Sequence, residues 1–81
     1  MNLEELFKTF LEEVEHVVSI NVYNIWFSKI KPISLSGNVL KICVPMEIYK
    51  KMLSENYKDV IDNIFQNITG KTFDFEYCTE D

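Results

Sequence analysis

The sequence predicts an α+β fold of order α-α-β-β-α-β, a three-stranded sheet with helices packed on one face. Three observations predict it. Apolar residues recur at spacings of three and four near the N-terminus and again over about twenty residues from Ile48. Two short alternating runs flank Ser36-Gly37-Asn38, and a third alternating run covers Phe73 to Tyr77.

The first helix carries Leu3, Leu6, Phe7, Phe10, Leu11, Val14, Val17 and Val18 on one arc and Glu4, Glu5, Glu12, Glu13 and Glu15 on the other. Asn2 is its expected cap, and the early glutamates suit the positive end of its dipole. Ser19 and Asn21 interrupt the period and offer side-chain oxygens to a second helix, whose Tyr23, Trp26, Phe27 and Ile30 share a face. That helix ends before Pro32, because the residue preceding a proline is pushed out of helical dihedrals. Ile33 and Leu35 alternate with serines, Gly37-Asn38 turns the chain, and Leu40, Ile42 and Val44 alternate with Lys41 and Cys43. The pattern is a β-hairpin with one buried face. Pro45 ends the strand and precedes or opens a third helical stretch running through Ile48, Tyr49, Met52, Leu53, Tyr57, Ile61, Ile64, Phe65 and Ile68, with a bend near Asn56 and a stop at Thr69-Gly70. Phe73, Phe75 and Tyr77 form a last strand whose apolar face joins the hairpin sheet. Three strands do not bury an apolar face alone, so the helices must cover one side.

Length and charge bound the function. The 81 residues predict one domain, 1–81, of a size at which folding buries only roughly 60% of the unfolded chain's surface, so the core should be aromatic-rich and leave little room for a deep pocket. The net charge of -5 comes from thirteen acids against eight lysines, with no arginine. Strong phosphate or base recognition leans on Arg, so neutral or basic protein partners fit better. No apolar run approaches the roughly 18 residues of a membrane span, and the acidic N-terminus is unlike a secretory signal, which points to a cytoplasmic protein. Cys43 and Cys78 are then reduced thiols, Cys43 a small core hydrophobe and Cys78 a strand-end residue, with disulfide and metal roles as the lesser alternatives.

No catalytic constellation emerges, and no metal or cofactor is expected. His16 stands near the end of the first helix with no serine or cysteine nucleophile at a motif spacing, where a cation simply suits the dipole. Adjacent glutamates point different ways and form a solvated face. Ser36-Gly37-Asn38 joins two strands, not a strand to a helix, so it is a hairpin turn and no phosphate loop. Most of the aromatic residues occupy inward positions. Two places depart from that. Ile25 and Trp26 are consecutive and cannot both face one core, and Met46, Ile48 and Tyr49 place three large apolar side chains within four residues. An exposed apolar patch built from these five residues would bind a protein.

Leu6-Phe7, Tyr23, Trp26-Phe27, Pro32, Ser34-Leu35, Gly37-Asn38 before the Leu40 to Ile42 strand, Val44-Pro45, Glu47, Leu53, Tyr57, Ile61 and Thr69-Gly70, in this order and spacing, resemble the N-terminal domain, domain I, of the bacterial chromosomal replication initiator DnaA. The resemblance runs through nearly the whole chain and implies a KH-like topology, without the GxxG loop by which KH modules clamp nucleic acid. It implies a non-enzymatic module of replication initiation that self-associates and docks replicative helicase, helicase loaders or initiation regulators. Trp26 matches a partner-binding tryptophan of the family. Phe7 stands where many members carry a tryptophan implicated in self-association, which assigns Leu3, Leu6 and Phe7 to that role. The Pro-Asn-Glu-Phe start of the family's third helix reads Pro45-Met46-Glu47-Ile48 here, so Ile48 replaces a partner-contacting aromatic. The family's intact protein continues into a linker, an ATPase domain and a DNA-binding domain, so the chain is either such a domain alone or a stand-alone relative, in the latter case a regulator that pairs with the full initiator. The competing reading is a weak KH-like binder of single-stranded nucleic acid using Lys29, Lys31, Lys50 and Lys51 beside Tyr49.

Overall fold

Residues 2–80 are described by a computed structural model. Helix α1 (Leu3–Val17) begins where the Asn2 side-chain oxygen accepts from the Glu5 N–H at 2.8 Å. It buries Leu6, Phe7, Phe10 and Val14 of the stripe that its spacing predicts, whereas Val17, expected on the same arc, is exposed at the helix end. The chain turns extended at Val18, and the Ser19 hydroxyl accepts from the Val22 N–H at 3.1 Å to start α2 (Ile20–Val22). Here the helix widens: Tyr23–Phe27 forms a π turn, closed by the Ser28 N–H donating to the Tyr23 carbonyl five residues back at 2.9 Å.

Strands β1 (Lys31–Ser36) and β2 (Val39–Val44) pair antiparallel around Gly37-Asn38. Only Gly37 there has a positive φ, 60°, the pattern of a II′ turn and the reason a glycine stands first in the loop. Leu40, Ile42 and Val44 are buried, as the alternation requires. The expected burial of Ile33 and Leu35 fails, and both are exposed. Ile33 is the extra residue of a bulge between Pro32 and Ser34, which breaks the alternation, while Leu35 pairs with Leu40 on a strand at the sheet edge.

The third helical stretch is two helices. Helix α3 (Glu47–Lys51) follows an extended Met46, so Pro45 lies before the helix, and it too ends in a π turn, Met52–Asn56, closed by the Tyr57 N–H on the Met52 carbonyl at 3.0 Å. Tyr57 leaves helical dihedrals, with φ −111° and ψ 13°, which places the expected bend. Helix α4 (Lys58–Thr69) stops at Gly70, left-handed at φ 74°, whose N–H donates to the Gln66 carbonyl at 2.8 Å. Strand β3 (Asp74–Thr79) then adds parallel to β2, completing a mixed sheet of order β1-β2-β3.

The helices and the inner sheet face enclose an aromatic core. Phe10 of α1 stacks on Phe65 of α4 at 4.4 Å, Phe65 meets Phe73 at 5.5 Å and Phe75 at 5.4 Å, and Phe27 lies edge-on to Phe10 and to Tyr57. Each enclosed ring contributes about 1.5–3 kcal/mol by burial. Side chains that alternate with Leu40, Ile42 and Val44 occupy the opposite, uncovered sheet face: Lys41 is exposed and Cys43 half-buried. Cys43 is thus not a core hydrophobe, because its place in the strand is out of step with the buried set.

Candidate functional site

The Tyr23–Phe27 turn and α3 meet through Tyr49. Its hydroxyl donates to the Ile25 carbonyl at 2.6 Å, and its ring meets Trp26 edge to face at 5.0 Å and 67°. Tyr49 itself is only 6% exposed. It is an internal clasp between the two segments, and not the surface residue that its sequence position suggested. Trp26 is half-buried against the core, while Ile25 is 53%, Met46 58% and Ile48 49% exposed.

Local backbone geometry explains this display. A π turn accommodates an extra residue relative to an α turn. Phe27 at the end of the turn is enclosed, Trp26 is half-open and Ile25 faces solvent. At the start of α3, Met46 lies extended ahead of the helix and Ile48 sits in its first turn, while Tyr49 points inward. The exposed apolar groups are thus carried on backbone segments that Tyr49 ties together. In the same helix Glu47 pairs with Lys50, whose Nζ lies 3.2 Å from Oε2.

The other sequence candidates are arranged differently. Leu6 and Phe7 belong to the core, with Phe7 only 2% exposed, so of the trio assigned to self-association only Leu3 remains half-open. Of the four lysines, Lys29, Lys31 and Lys51 are exposed and Lys50 is paired with Glu47. Lys31 stands opposite Cys43 in the sheet, on a different element from Lys50 and Lys51. His16 is exposed in the last turn of α1. Among the described residues, no group of three or more His, Cys, Asp or Glu side chains could hold a metal ion, and no helix is long and apolar enough to cross a membrane.

Two features were not read from the sequence. An open groove of about 1040 Å³ runs between α1 and β1, floored by Phe7, Leu11, Ile30 and Ile33 and rimmed by Glu12 and Glu15. Partial burial beside Glu15 pushes the Tyr23 hydroxyl at this groove above the ordinary tyrosine range. A smaller cleft of about 240 Å³ lies between α4 and β3, where burial, with the nearby Asp62 carboxylate, pushes Tyr77 well above that range. The first depends on the exposure of Ile33 at its bulge, and that bulge has no sequence signature. A family model described as the DnaA N-terminal domain matches residues 4–67, from the first turn of α1 to near the end of α4.

Proposed function

The chain belongs to the DnaA N-terminal domain family, which gives it a role in the initiation of DNA replication, and from that premise we propose that it is a non-enzymatic docking module. Its partner-binding surface comprises Ile25, Trp26, Met46 and Ile48, held in place by Tyr49. The observation that carries this reading is the coincidence of three exposed large apolar residues and a half-open tryptophan on two segments joined by one part-buried hydrogen bond. An aromatic anchor surrounded by aliphatic side chains is the composition of an interface centre. The occupant is a protein of the replication machinery, namely the replicative helicase, its loader or an initiation regulator. Self-association belongs to the same proposal and falls to the flank of α1 around Leu3, since Phe7 is enclosed. The whole chain acts as one interaction domain in the cytoplasm.

Nucleic-acid binding is the weaker reading. The net charge is -5, and Lys50 is partly neutralised by Glu47. Affinity capture from extract of the source organism tests the choice, with nuclease treatment before elution and Ile48→Asp as the comparison. Helicase, loader or initiator retained by the wild-type chain after nuclease, and lost from Ile48→Asp, is the expected result. Loss of all captured protein on nuclease treatment would instead put the nucleic-acid reading first.

A further inference from the structure

Cys43 and Cys78 are far apart in sequence but are in-register partners on the adjacent parallel strands β2 and β3. Neighbouring strands lie about 4.8 Å apart, inside the Cα separation of about 4.4–6.8 Å that a disulfide accepts. Both cysteines are free and half-buried, on the sheet face that the helices leave uncovered. Lys31 stands opposite Cys43 on the other neighbouring strand, β1. Partial burial and then the Cys78 thiol push Cys43 above the ordinary cysteine range, Glu80 adding to the shift and Lys31 opposing it, which keeps Cys43 in its thiol form at neutral pH.

We infer that Cys43 and Cys78 form a dithiol modification site, which a low-molecular-weight disulfide such as oxidised glutathione converts into an intramolecular disulfide joining β3 to β2. In the first step the thiolate of one cysteine attacks a sulfur of the oxidant, forming a mixed disulfide and releasing one small-molecule thiolate. In the second, the thiolate of the other cysteine attacks the protein sulfur of that mixed disulfide, and the second small-molecule thiolate leaves. The protein loses two hydrogen atoms, the oxidant is reduced to two thiols, and the two protein protons pass to the departing thiolates. The new loop contains α3, α4 and the residues Met46, Ile48 and Tyr49. Closing it restricts the unfolded chain over that whole length while the aromatic core stays on the other side of the sheet. The inference is independent of the replication assignment, since it uses no residue of the docking surface.

The test exposes the full chain, reduced and then freed of reductant, to oxidised glutathione and follows intact mass, peptide linkage and melting temperature. The wild-type chain is expected to end lighter by two hydrogen atoms with no glutathione attached, to yield a Cys43 peptide linked to a Cys78 peptide, and to melt higher than the reduced form by about 10 °C. Cys43→Ser and Cys78→Ser should each stop with one glutathione retained on the remaining thiol and show no such rise. Glutathione adducts persisting on the wild-type chain, linkage between separate chains, or a melting temperature unchanged or lowered by oxidation would overturn the inference. The wild-type result decides without any variant having to fold.

Discussion

Phe10 and Phe65 stack at 4.4 Å with both rings enclosed, whereas Trp26 and Tyr49 meet edge to face at 5.0 Å with Trp26 half-open and Ile25, Met46 and Ile48 exposed around them. Both clusters sit on helical segments rich in aromatic and aliphatic residues. They differ in the backbone beneath them. The Phe10 and Phe65 helices are regular where these rings sit, so residues three and four apart converge inward. At Trp26 the helix has widened to a π turn, and at Ile48 it has only begun, so neighbouring apolar residues spread over more than one face. The proposed partner-binding surface and the core are thus made from the same residue types and differ in local helical geometry.

The largest expected effect comes from the enclosed cluster. Phe10→Ala should lose about 3–5 kcal/mol of stability through the cavity it leaves, read as a large fall in the denaturant midpoint. A change under 1 kcal/mol would show that the two clusters do not differ as described. Ile48→Asp makes the opposite test. It should lower partner affinity at least about tenfold, as loss of an interface anchor does, while an acid in the first turn of α3 leaves stability nearly unchanged. Tyr49→Phe falls between the two: losing the hydroxyl that reaches the Ile25 carbonyl should cost about 1 kcal/mol of stability and weaken partner binding through the misplaced Ile25 turn. Unchanged binding with the stability loss present would separate the clasp from the surface.

A pH titration adds a smaller, independent check on the enclosed side. Tyr77 is pushed above the ordinary tyrosine value of 10.0 by burial first and by Asp62 second. Below that value both folded and unfolded chains keep the proton, and this contribution is intact. Above it the unfolded chain releases its proton while folded Tyr77 retains it, so stability falls as pH rises from about 10 toward the folded value. Tyr77→Phe should flatten part of that alkaline decline in melting temperature, and an identical decline in both proteins would remove Tyr77 as a contributor. The smallest effect is expected at the exposed Lys50–Glu47 pair, where Lys50→Ala should change stability by less than about 1 kcal/mol.

Much of the architecture was legible because it rests on periodicity and punctuation. Asn2, Ser19 and Gly70 act where their chemistry indicated, and Gly37 turns the hairpin. The bend in the third helical stretch was legible to within a residue. The bulge at Ile33 was not, since one extra residue in a strand leaves composition unchanged. The π turns were hidden because an apolar residue every three or four positions fits an α or a π turn almost equally well over five residues. The register of β3 was hidden for a different reason: it is fixed by packing across the long α3–α4 connection, and it alone brings Cys78 beside Cys43. The docking candidates were legible as an excess of adjacent apolar residues. Which of them would be the clasp was not, because the inward turn of Tyr49 depends on a carbonyl twenty-four positions away.

The central claim is that the Ile48 surface is separate from the core that folds the chain. Melting temperature and nuclease-resistant capture of replication proteins, measured on one preparation of Ile48→Asp beside the wild-type chain, test it most directly. An unchanged melting temperature with capture lost is the predicted result. Capture retained at the wild-type level, or lost only together with the fold, would contradict it.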